Sequence, residues 1–444
     1  MGEYKTEPIK CWEKAKELRL EVYRRVAKAR DEGRMVIVGG MDNMVALPAG
    51  FDMEYLGGEP YGASCAFAGK HDISIVQERF EAAEAAGYPR DLCTYLRLGI
   101  GSLLIDKYVF GGEYPKPLFS LQTHVCDTHG KWYQNVGEIE GIPYNAIDMV
   151  PYLWEIENES EESKKLKRDY VTEQLLDAID WMEKVTGKDF DDEKFINAVH
   201  NECESTSLWP QCCMYNQAVP APMDEKMMYS FYIIPLLARH WKEGVEFLTE
   251  LRDELKDRVD RGIAAVPNER FRLMHDSQPP WFALEIFRHL EKNYGAVSIG
   301  AHYSFGLSAA WAYDAEKDTY LPARPPREAG VELRTREEAC EWYAEWYLAY
   351  HTLLRSLRFS GRGLNKRIMD IVKNWHIDGA IIHLNRGCEG SAVGQMELHY
   401  HLSEQGVPCM TYEGNMADVR EFDYERTIAK IDTFMETLDL KKLS

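Results

Sequence analysis

The sequence predicts an α/β protein with two open parallel sheets, of the Rossmann or flavodoxin-like kind, joined by a helical segment. Short apolar runs that end at glycine or polar residues alternate with helical patterns in two separate parts of the chain. The stretch between these parts is helical and carries no strand pattern. A chain of 444 residues is also too long for one simple core. We therefore predict an N-terminal α/β domain at 1–168, a helical segment at 169–262 and a C-terminal α/β domain at 263–444.

The N-terminal part begins with an amphipathic helical pattern over its first thirty-odd residues. Three apolar runs then predict buried parallel strands, at 35–40, 117–125 and 142–152. The pattern at 72–87 predicts a helix that Gly87 and Pro89 end. The mixed-charge block at 154–169 is interpreted as a solvated connection or the exposed start of a helix.

The remaining chain continues with helices over about 170–262, interrupted by a proline-broken loop at 209–223. A second set of strand patterns follows, and a helix at 391–406 separates the last two of them. The predicted strands lie within 271–280, 296–304, 378–384 and 407–416, and a closing helix lies at 425–438. The alternation again favours a parallel sheet.

Charge and hydropathy exclude several classes of function. The formal net charge is −21 and the pI is about 5.1, which argues against nucleic-acid binding because that function needs a basic surface. No run of eighteen or more apolar residues is present, so we expect no membrane span. The charged N-terminus lacks an apolar signal region, and a cytoplasmic location is the expectation.

The ten cysteines contain no CxxC pair, so any metal site must be assembled from distant residues. Cys126 and Cys388 each follow a predicted strand, and Cys93 lies near the start of a predicted helix. Ligands of open α/β sheets bind beyond the carboxyl ends of the strands, so these three thiols are expected to converge between the domains. They are candidate ligands of one [4Fe–4S] cluster that leaves one iron without a cysteine. The alternative is that each is a small buried hydrophobe.

The segments around these cysteines resemble the 2-hydroxyacyl-CoA dehydratase and benzoyl-CoA reductase family. They read RDLCTYLRLGIG, LQTHVCDTHGKWYQ and DGAIIHLNRGCEG, and the last continues to EGNMADVREFD. The C-terminal segment is similar to the larger cluster-bearing (B/O-type) subunit of ATP-dependent benzoyl-CoA reductase. Dehydratases more often have a serine and a basic residue where Gly387 and Glu389 flank the cysteine here. RLMHDSQPPW at 272–281 is similar as well, so the resemblance spans about 85–440.

The resemblance implies an iron–sulfur subunit that reduces benzoyl-CoA to a cyclohexadiene carbonyl-CoA by single-electron and proton transfers. It implies a second, homologous cluster-bearing subunit and a separate ATP-hydrolysing iron–sulfur activator. The absence of a P-loop motif in this sequence agrees with ATP hydrolysis on a partner. The alternatives are a 2-hydroxyacyl-CoA dehydratase subunit and a non-catalytic scaffold or electron-relay subunit. A cluster-free binding protein is the last resort.

Several polar and aromatic residues near the three cysteines are candidates for catalysis and substrate binding. Histidine and carboxyl groups next to the cysteines are candidate proton donors, namely His124, His129, His383 and Glu389, with His302 a weaker one. Each histidine is alternatively a core group bonded to backbone, and Glu389 is alternatively a helix cap. The candidate acyl-CoA-binding residues are Trp132, Tyr133, Trp209, Trp281 and Arg386, and packing is the alternative for the aromatic ones.

The other cysteines are weaker candidates for ligands. Cys65 lies in a glycine-rich stretch that could bring it to the cluster as a fourth ligand. Cys409 is interpreted as a core strand residue. Cys212 and Cys213 are adjacent in sequence, and adjacent residues can hardly bind one cluster together.

Overall fold

The computed structural model describes residues 3–41, 43–152, 159–307, 309–351 and 362–443. In this part of the chain two four-stranded parallel sheets form, one from each predicted α/β region. The predicted fold class is therefore confirmed. The two sheets are built from residues 36–148 and 271–414.

The first sheet has the strand order β2-β1-β3-β4. Its strands are β1 (Val36–Gly39), β2 (Glu54–Gly57), β3 (Phe119–His124) and β4 (Tyr144–Asp148). The central strands β1 and β3 are covered on both faces, as the apolar runs predicted. The sequence reasoning missed β2, because its four residues begin with a glutamate and do not form an apolar run.

The second sheet has the order β10-β9-β5-β6. Its strands are β5 (Phe271–Asp276), β6 (Ala296–Ser298), β9 (Gly379–Asn385) and β10 (Cys409–Gly414). All four were predicted. An antiparallel hairpin of β7 (Trp311–Asp314) and β8 (Thr319–Pro322) was not, and it lies outside both parallel sheets.

Helices cover both sheets and alternate with the strands. Those of the first region are α1 (Trp12–Lys28), α2 (Gly58–Gly69), α3 (Ser74–Ala85), α4 (Thr94–Leu104) and α5 (Asp127–Glu140). Those of the middle region are α6 (Glu161–Thr186), α7 (Asp192–Met214), α8 (Glu225–Phe231), α9 (Ile233–Leu237) and α10 (Lys242–Asp260). Those of the last region are α11 (Glu285–Tyr294), α12 (His302–Gly306), α13 (Pro326–Ala329), α14 (Arg336–Tyr350), α15 (Arg362–Asn374), α16 (Glu389–Ala392), α17 (Gln395–Glu404) and α18 (Tyr424–Thr437).

The middle region departs from the predicted pattern in two respects. Helix α7 continues through Pro210 to Met214, so the predicted loop at 209–223 begins too early. Pro210 is buried inside this long helix, where tertiary packing outweighs the lost hydrogen bond. The apolar stretch after the loop forms three helices, α8 to α10, instead of one.

The charge-rich block at 154–169 contains the start of α6, which Ser160 caps by accepting a hydrogen bond from the Ser163 amide at 3.1 Å. The interpretation as an exposed helix start holds from Glu161 onward, whereas 154–158 lie outside the described residues. No helix in the described part of the chain is both long and apolar enough to cross a membrane. The predicted domain boundaries stay predictions.

Candidate functional site

Three cysteines occupy the same structural position, immediately before the first residue of a helix. Cys93 precedes α4, Cys126 precedes α5 and Cys388 precedes the short helix α16. We call them the cap cysteines. All three are half-buried, and none uses its side chain to cap the helix that follows. Their sulfur atoms are therefore available for another partner.

Hydrogen bonds between the two α/β regions bring Cys93 and Cys388 together. The amide of Thr94, next to Cys93, donates to the carbonyl oxygen of Gly387, next to Cys388, at 3.1 Å. The Thr94 hydroxyl donates to Oδ1 of Asn415 at 2.9 Å, in the loop after β10. Both side chains are fully buried. The start of α4 is thus fixed against the loops at the carboxyl ends of β9 and β10.

The thiols are also electrostatic neighbours. Burial raises the pKa of Cys93 well above its usual range, and the nearby thiols of Cys388 and Cys126 add to the rise. Burial raises the pKa of Cys126 to about 12, with smaller contributions from Cys388 and from the carboxylate of Glu59. Backbone amides of the following helix oppose the rise, from Leu96 for Cys93 and from His129 for Cys126. The three thiols therefore lie close enough for their charges to interact, and their role as ligands of one cluster stays a prediction.

A polar side chain from the second sheet contacts the sulfur of Cys388. The Gln278 Nε2 amide lies 3.4 Å from Cys388 Sγ and donates to it. The orientation of this amide is fixed, because Gln278 Oε1 accepts from Asn385 Nδ2 at 2.9 Å and from the Ser391 hydroxyl. Ser277, directly before it, has φ of +76°, an unfavourable backbone for a residue other than glycine. The turn after β5 is therefore held in place to present Gln278 to Cys388.

Gly387 permits the close approach of the two α/β regions. A Cβ at this position would lie 2.5 Å from Thr94 Oγ1 and 2.6 Å from Asn415 Oδ1. Both neighbours are buried and hydrogen-bonded to each other, so neither moves away freely. Any larger residue would push the Cys388 loop away from α4.

A buried acid, Glu59, lies beside the cysteines and was missed by the sequence reasoning. Glu59 is in the first turn of α2 and is 5% exposed. Its Oε1 contacts Nε2 of His129, and its Oε2 accepts from the Tyr133 hydroxyl at 3.1 Å and the Met41 amide at 2.9 Å. The signal available in the sequence was weak, since a single glutamate in the glycine-rich stretch GGEPYG suggests a loop.

The loop after β1, which contacts this acid, is held by a second buried network. Arg239 Nε donates to Glu202 Oε1 at 2.8 Å, and both side chains are fully buried. The same guanidinium donates to the carbonyl oxygens of Met41 and Asn43. Glu202 Oε2 accepts from the Ala46 amide at 2.9 Å. The middle helices thereby fix Met41, whose amide binds Glu59, and residues 43–46.

The predicted proton donors divide into different environments. His129 is buried against Glu59, and its Nδ1 has no hydrogen-bond partner among the described residues. His124 is more exposed and lies 3.4 Å from Asp148. His383 is fully buried, with Nδ1 against the carbonyl oxygen of Gln278 at 2.6 Å, and burial lowers its pKa to about 4. His383 therefore matches the alternative of a core histidine bonded to backbone.

Two further candidates lie at the edges of the site. Glu389 is exposed next to Cys388, in the first turn of α16. His302 is buried in α12, and burial lowers its pKa to about 3, so it is a neutral core group.

The aromatic residues predicted to bind substrate are buried, and they have different neighbours. Trp132 stacks on Tyr133 with ring centroids 4.9 Å apart, and Gly58 and Gly99 pack against its indole. The packing alternative fits Trp132, while Tyr133 reaches the site through Glu59. Trp281 donates to the Tyr95 hydroxyl. Burial raises the pKa of Tyr95, and Tyr303 and the cap cysteines Cys388 and Cys93 add smaller contributions.

The remaining candidates make no described contact with the three thiols. Trp209 is fully buried and donates to the Ser304 carbonyl at 3.1 Å. Arg386 is 63% exposed and pairs with Glu413 at 2.7 Å. Cys65, in α2, is fully buried among Tyr61, Arg79 and Ser102. This environment does not support a role for Cys65 as a fourth cluster ligand.

The other cysteines were interpreted as packing residues. Cys409 is the half-buried first residue of β10, and Cys212 and Cys213 are fully buried within α7.

The donors suit an iron–sulfur cluster better than a single ion. Within the described ranges no group of three or more His, Cys, Asp or Glu side chains could hold a metal ion. The cap cysteines offer three neighbouring thiols, and thiolates are the ligands that iron–sulfur clusters use. Helix amides and the Gln278 N–H supply the hydrogen bonds that thiolate ligands accept.

The fold and this centre define a class of protein: two parallel-sheet α/β units that bring three cysteines to the carboxyl ends of their strands. A family model described as "2-hydroxyglutaryl-CoA dehydratase, D-component" matches residues 73–438. The chain belongs to this family, as the resemblance around its cysteines predicted.

The similar proteins include both dehydratase subunits and a reductase subunit. The chain is 26% identical over 437 residues to the (R)-2-hydroxyisocaproyl-CoA dehydratase alpha subunit of Clostridioides difficile, covering 96% of this chain and 95% of the relative. It is 26% identical over 369 residues to the (R)-phenyllactyl-CoA dehydratase alpha subunit of Clostridium sporogenes, covering 82% and 81%. It is 23% identical over 377 residues to a benzoyl-CoA reductase subunit of Thauera aromatica, covering 81% and 79%.

Proposed function

We propose that the chain is a cluster-bearing subunit of an acyl-CoA enzyme, with a [4Fe–4S] cluster held by Cys93, Cys126 and Cys388. The observation that carries the proposal is the proximity of three half-buried thiols: the hydrogen bond from Thr94 to Gly387 joins the Cys93 and Cys388 segments, and Cys126 is an electrostatic neighbour of both. The cluster would supply one-electron chemistry and an iron with an open position. The chain positions this centre, shields it from water on the buried side and donates hydrogen bonds to it through Gln278.

The reaction we favour is the reduction of an aromatic acyl-CoA, with benzoyl-CoA as the first substrate to test. The segment around Cys388 supports it, because Gly387 and Glu389 stand where dehydratases more often have serine and a basic residue. The close contact of Gly387 with Thr94 gives this glycine a physical reason, since a serine would not fit the same loop position. Converting the ring to a cyclohexadiene requires two electrons and two protons.

The second candidate is dehydration of a 2-hydroxyacyl-CoA. The comparisons favour it, since the matching family and two of the relatives described above carry dehydratase names. The same three thiols and the same open position would serve this reaction without net reduction. The two candidates differ in whether the product retains the oxidation level of the substrate.

For proton transfer, the geometry favours His129 with Glu59 over the other candidates. Both groups are buried beside Cys126, and His129 Nδ1 has no partner among the described residues. Glu59 holds the imidazole through Nε2, so the buried Nδ1, unpartnered within the described part of the chain, is the nitrogen left to exchange a proton. His383 is sequestered behind the Gln278 carbonyl, and the more exposed His124 lies beside Asp148.

The partners we propose are a second, homologous cluster-bearing subunit and an ATP-hydrolysing iron–sulfur activator that delivers single electrons. All three relatives above are named as subunits, two of dehydratases and one of a reductase, which supports a multi-subunit enzyme. ATP hydrolysis is assigned to the activator, because this sequence has no P-loop motif.

The deciding experiment co-expresses the chain with candidate partner subunits without oxygen and supplies an ATP-dependent activator. Purified complex is assayed with benzoyl-CoA and, separately, with 2-hydroxyacyl-CoA esters, and the products are identified by mass spectrometry. A cyclohexadiene carbonyl-CoA supports the reductase, and a 2-enoyl-CoA supports the dehydratase. A cluster-replete complex that converts neither ester would reject both and leave a relay or scaffold role. His129→Gln serves as the variant for proton transfer, with His124→Gln as its matched control.

A further inference from the structure

A groove with a basic helix face lies at the carboxyl ends of β9 and β10. Its volume is about 240 Å³. Strand and loop residues on one side are Arg386, Tyr412, Glu413, Arg420, Glu421 and Phe422, and the start of α18 supplies the other side. The helix contributes Asp423, Arg426, Thr427 and Lys430. We call it the α18 groove.

Most charges in the α18 groove are already balanced by neighbours. Arg386 pairs with Glu413 at 2.7 Å. Arg420 pairs with Asp418 at 2.6 Å, and Glu421 pairs with Arg90 at 3.3 Å. These pairs leave no net charge on this side of the groove.

The helix side is different, because two cations remain there. Asp423 caps α18 by accepting from the Arg426 amide at 3.0 Å, so its charge is stabilised by the helix N-terminus. Arg426 and Lys430, one turn apart on the exposed face of α18, form no ion pair with any described residue. In a chain with a net charge of −21, two unpaired cations lining one groove mark a place for an anion.

The position of the α18 groove connects it with the cap cysteines. Arg386 lies two residues before Cys388, in the turn that follows β9. The Arg386 amide also donates to the Gly414 carbonyl at 2.9 Å, which ties this turn to the end of β10. An anion in the groove would therefore lie beyond the carboxyl ends of the strands, where open α/β sheets bind their ligands.

We propose that the α18 groove binds the phosphorylated nucleotide end of the CoA ester, with Arg426 and Lys430 contacting its phosphates. The inference rests on the proposed function for the class of substrate, and it adds a binding region for the part of the ester remote from the cysteines. Arginine binds phosphate through two parallel N–H groups, and lysine binds it as a point charge. The pantetheine arm would then run from the groove toward Cys388, past the turn at Arg386.

Binding is measured by isothermal titration calorimetry, without oxygen, on the full chain with its partner subunit. The titrants are CoA, 3′-dephospho-CoA and inorganic phosphate. The test variant is Arg426→Gln with Lys430→Gln. The matched control is Lys184→Gln with Lys188→Gln, which removes the same charge from two exposed residues at the end of α6. A third protein, Cys388→Ser, separates nucleotide binding from the cluster.

We expect the test variant to bind CoA about tenfold more weakly than wild type, with the control unchanged. Higher salt should weaken wild-type binding more than binding by the test variant. Cys388→Ser should bind CoA like wild type, because the groove does not include that residue. The groove and the cluster are then tested separately. A Cys388→Ser variant that loses iron and still binds CoA provides a test of the proposed function that does not affect the groove proposal.

Equal CoA affinity in wild type and the test variant would overturn the proposal, as would an equal loss in the control. Displacement of CoA by inorganic phosphate at the same concentration would also overturn it, since the groove would then bind anions in general.

Discussion

The chain places its cysteines in two contrasting environments. The cap cysteines Cys93, Cys126 and Cys388 lie half-buried at helix starts, close to backbone amides and polar side chains. Four others, here called the interior cysteines, are fully buried within α7 and α14, and they are Cys203, Cys212, Cys213 and Cys340. Residue type is the same, so position alone distinguishes the proposed cluster ligands from the packing groups. A thiol at the start of a helix stays partly accessible and close to backbone amides, whereas a thiol inside a buried helix packs in the core.

The largest contrast is expected in chemical labelling of the native, metal-free chain. Iodoacetamide at alkaline pH should modify the cap cysteines, more slowly at Cys93 and Cys126 because burial raises the pKa of these thiols, while the interior cysteines remain unmodified until the protein unfolds, because the reagent needs an accessible thiolate. Peptide mass spectrometry gives the extent of labelling at each residue. Reconstitution with iron and sulfide should then protect the cap cysteines. Equal labelling of Cys388 and Cys340 in the native chain would remove the distinction between the two groups.

The next largest effect concerns the buried network that supports the cap-cysteine side. Arg239→Met leaves the fully buried Glu202 without its cationic partner, and we expect the free energy of unfolding to fall by about 3–5 kcal/mol. Urea unfolding of wild type and variant measures it. Arg386→Met is the matched control, because it breaks an exposed pair worth less than about 1 kcal/mol. Equal losses of unfolding free energy in the two variants would show that burial does not determine the cost of breaking an ion pair.

Acid should destabilise the protein partly through His383. Burial lowers its folded pKa to about 4 from 6.5, so the unfolded chain binds one more proton between these values. The stabilisation from the neutral imidazole is present above pH 6.5 and is lost as the pH falls toward 4. Asn in place of His383 should make stability less steep in this window by about 1.4 kcal/mol per pH unit.

Carboxyls with the opposite sign, such as Glu225 and Glu291 with pKa values of about 7, are common to both proteins and cancel in the comparison. Urea unfolding at several pH values gives the two slopes. Parallel slopes for wild type and His383→Asn would contradict the buried, neutral histidine.

The smallest effect is expected at the contact between the two α/β regions. Gly387→Ala should cost about 1–3 kcal/mol, because the new Cβ overlaps Thr94 and Asn415. Gly306→Ala is the control, since a Cβ there meets its nearest neighbour, His302, at an ordinary 3.6 Å. Thermal unfolding compares the two. A Gly387→Ala variant as stable as wild type, with Cys388 still protected by the cluster, would show that the loop tolerates the added atom.

The sequence predicts the parallel strands well where burial is continuous. The run that forms β9 is apolar and ends at a polar turn, so both the strand and the place of Cys388 after it follow from the pattern. Strand β2 is not predicted because it starts with Glu54, whose charge is balanced by Arg25 and Arg34 only in the folded chain. Pro210 was expected to end a helix, and only long-range packing overrides that preference.

The residues of the site were likewise predictable only where local sequence signals place them. The cap cysteines are recognisable, because strand ends and helix starts are local signals. Glu59 and Gln278 are not, since each acquires its role from a partner far along the chain, His129 and Cys388 respectively. His383 shows the converse: its position before Cys388 suggested catalysis, yet strand alternation turns it toward the Gln278 carbonyl.

The central claim, that the cap cysteines hold an iron–sulfur cluster, is tested most directly by the iron and acid-labile sulfide content per chain. The proteins compared are wild type, Cys388→Ser and Cys340→Ala, made and purified without oxygen. We predict about four iron and four sulfide in wild type and in Cys340→Ala, and their loss in Cys388→Ser. A folded wild-type chain without iron, or a Cys388→Ser variant that retains the full content, would contradict it.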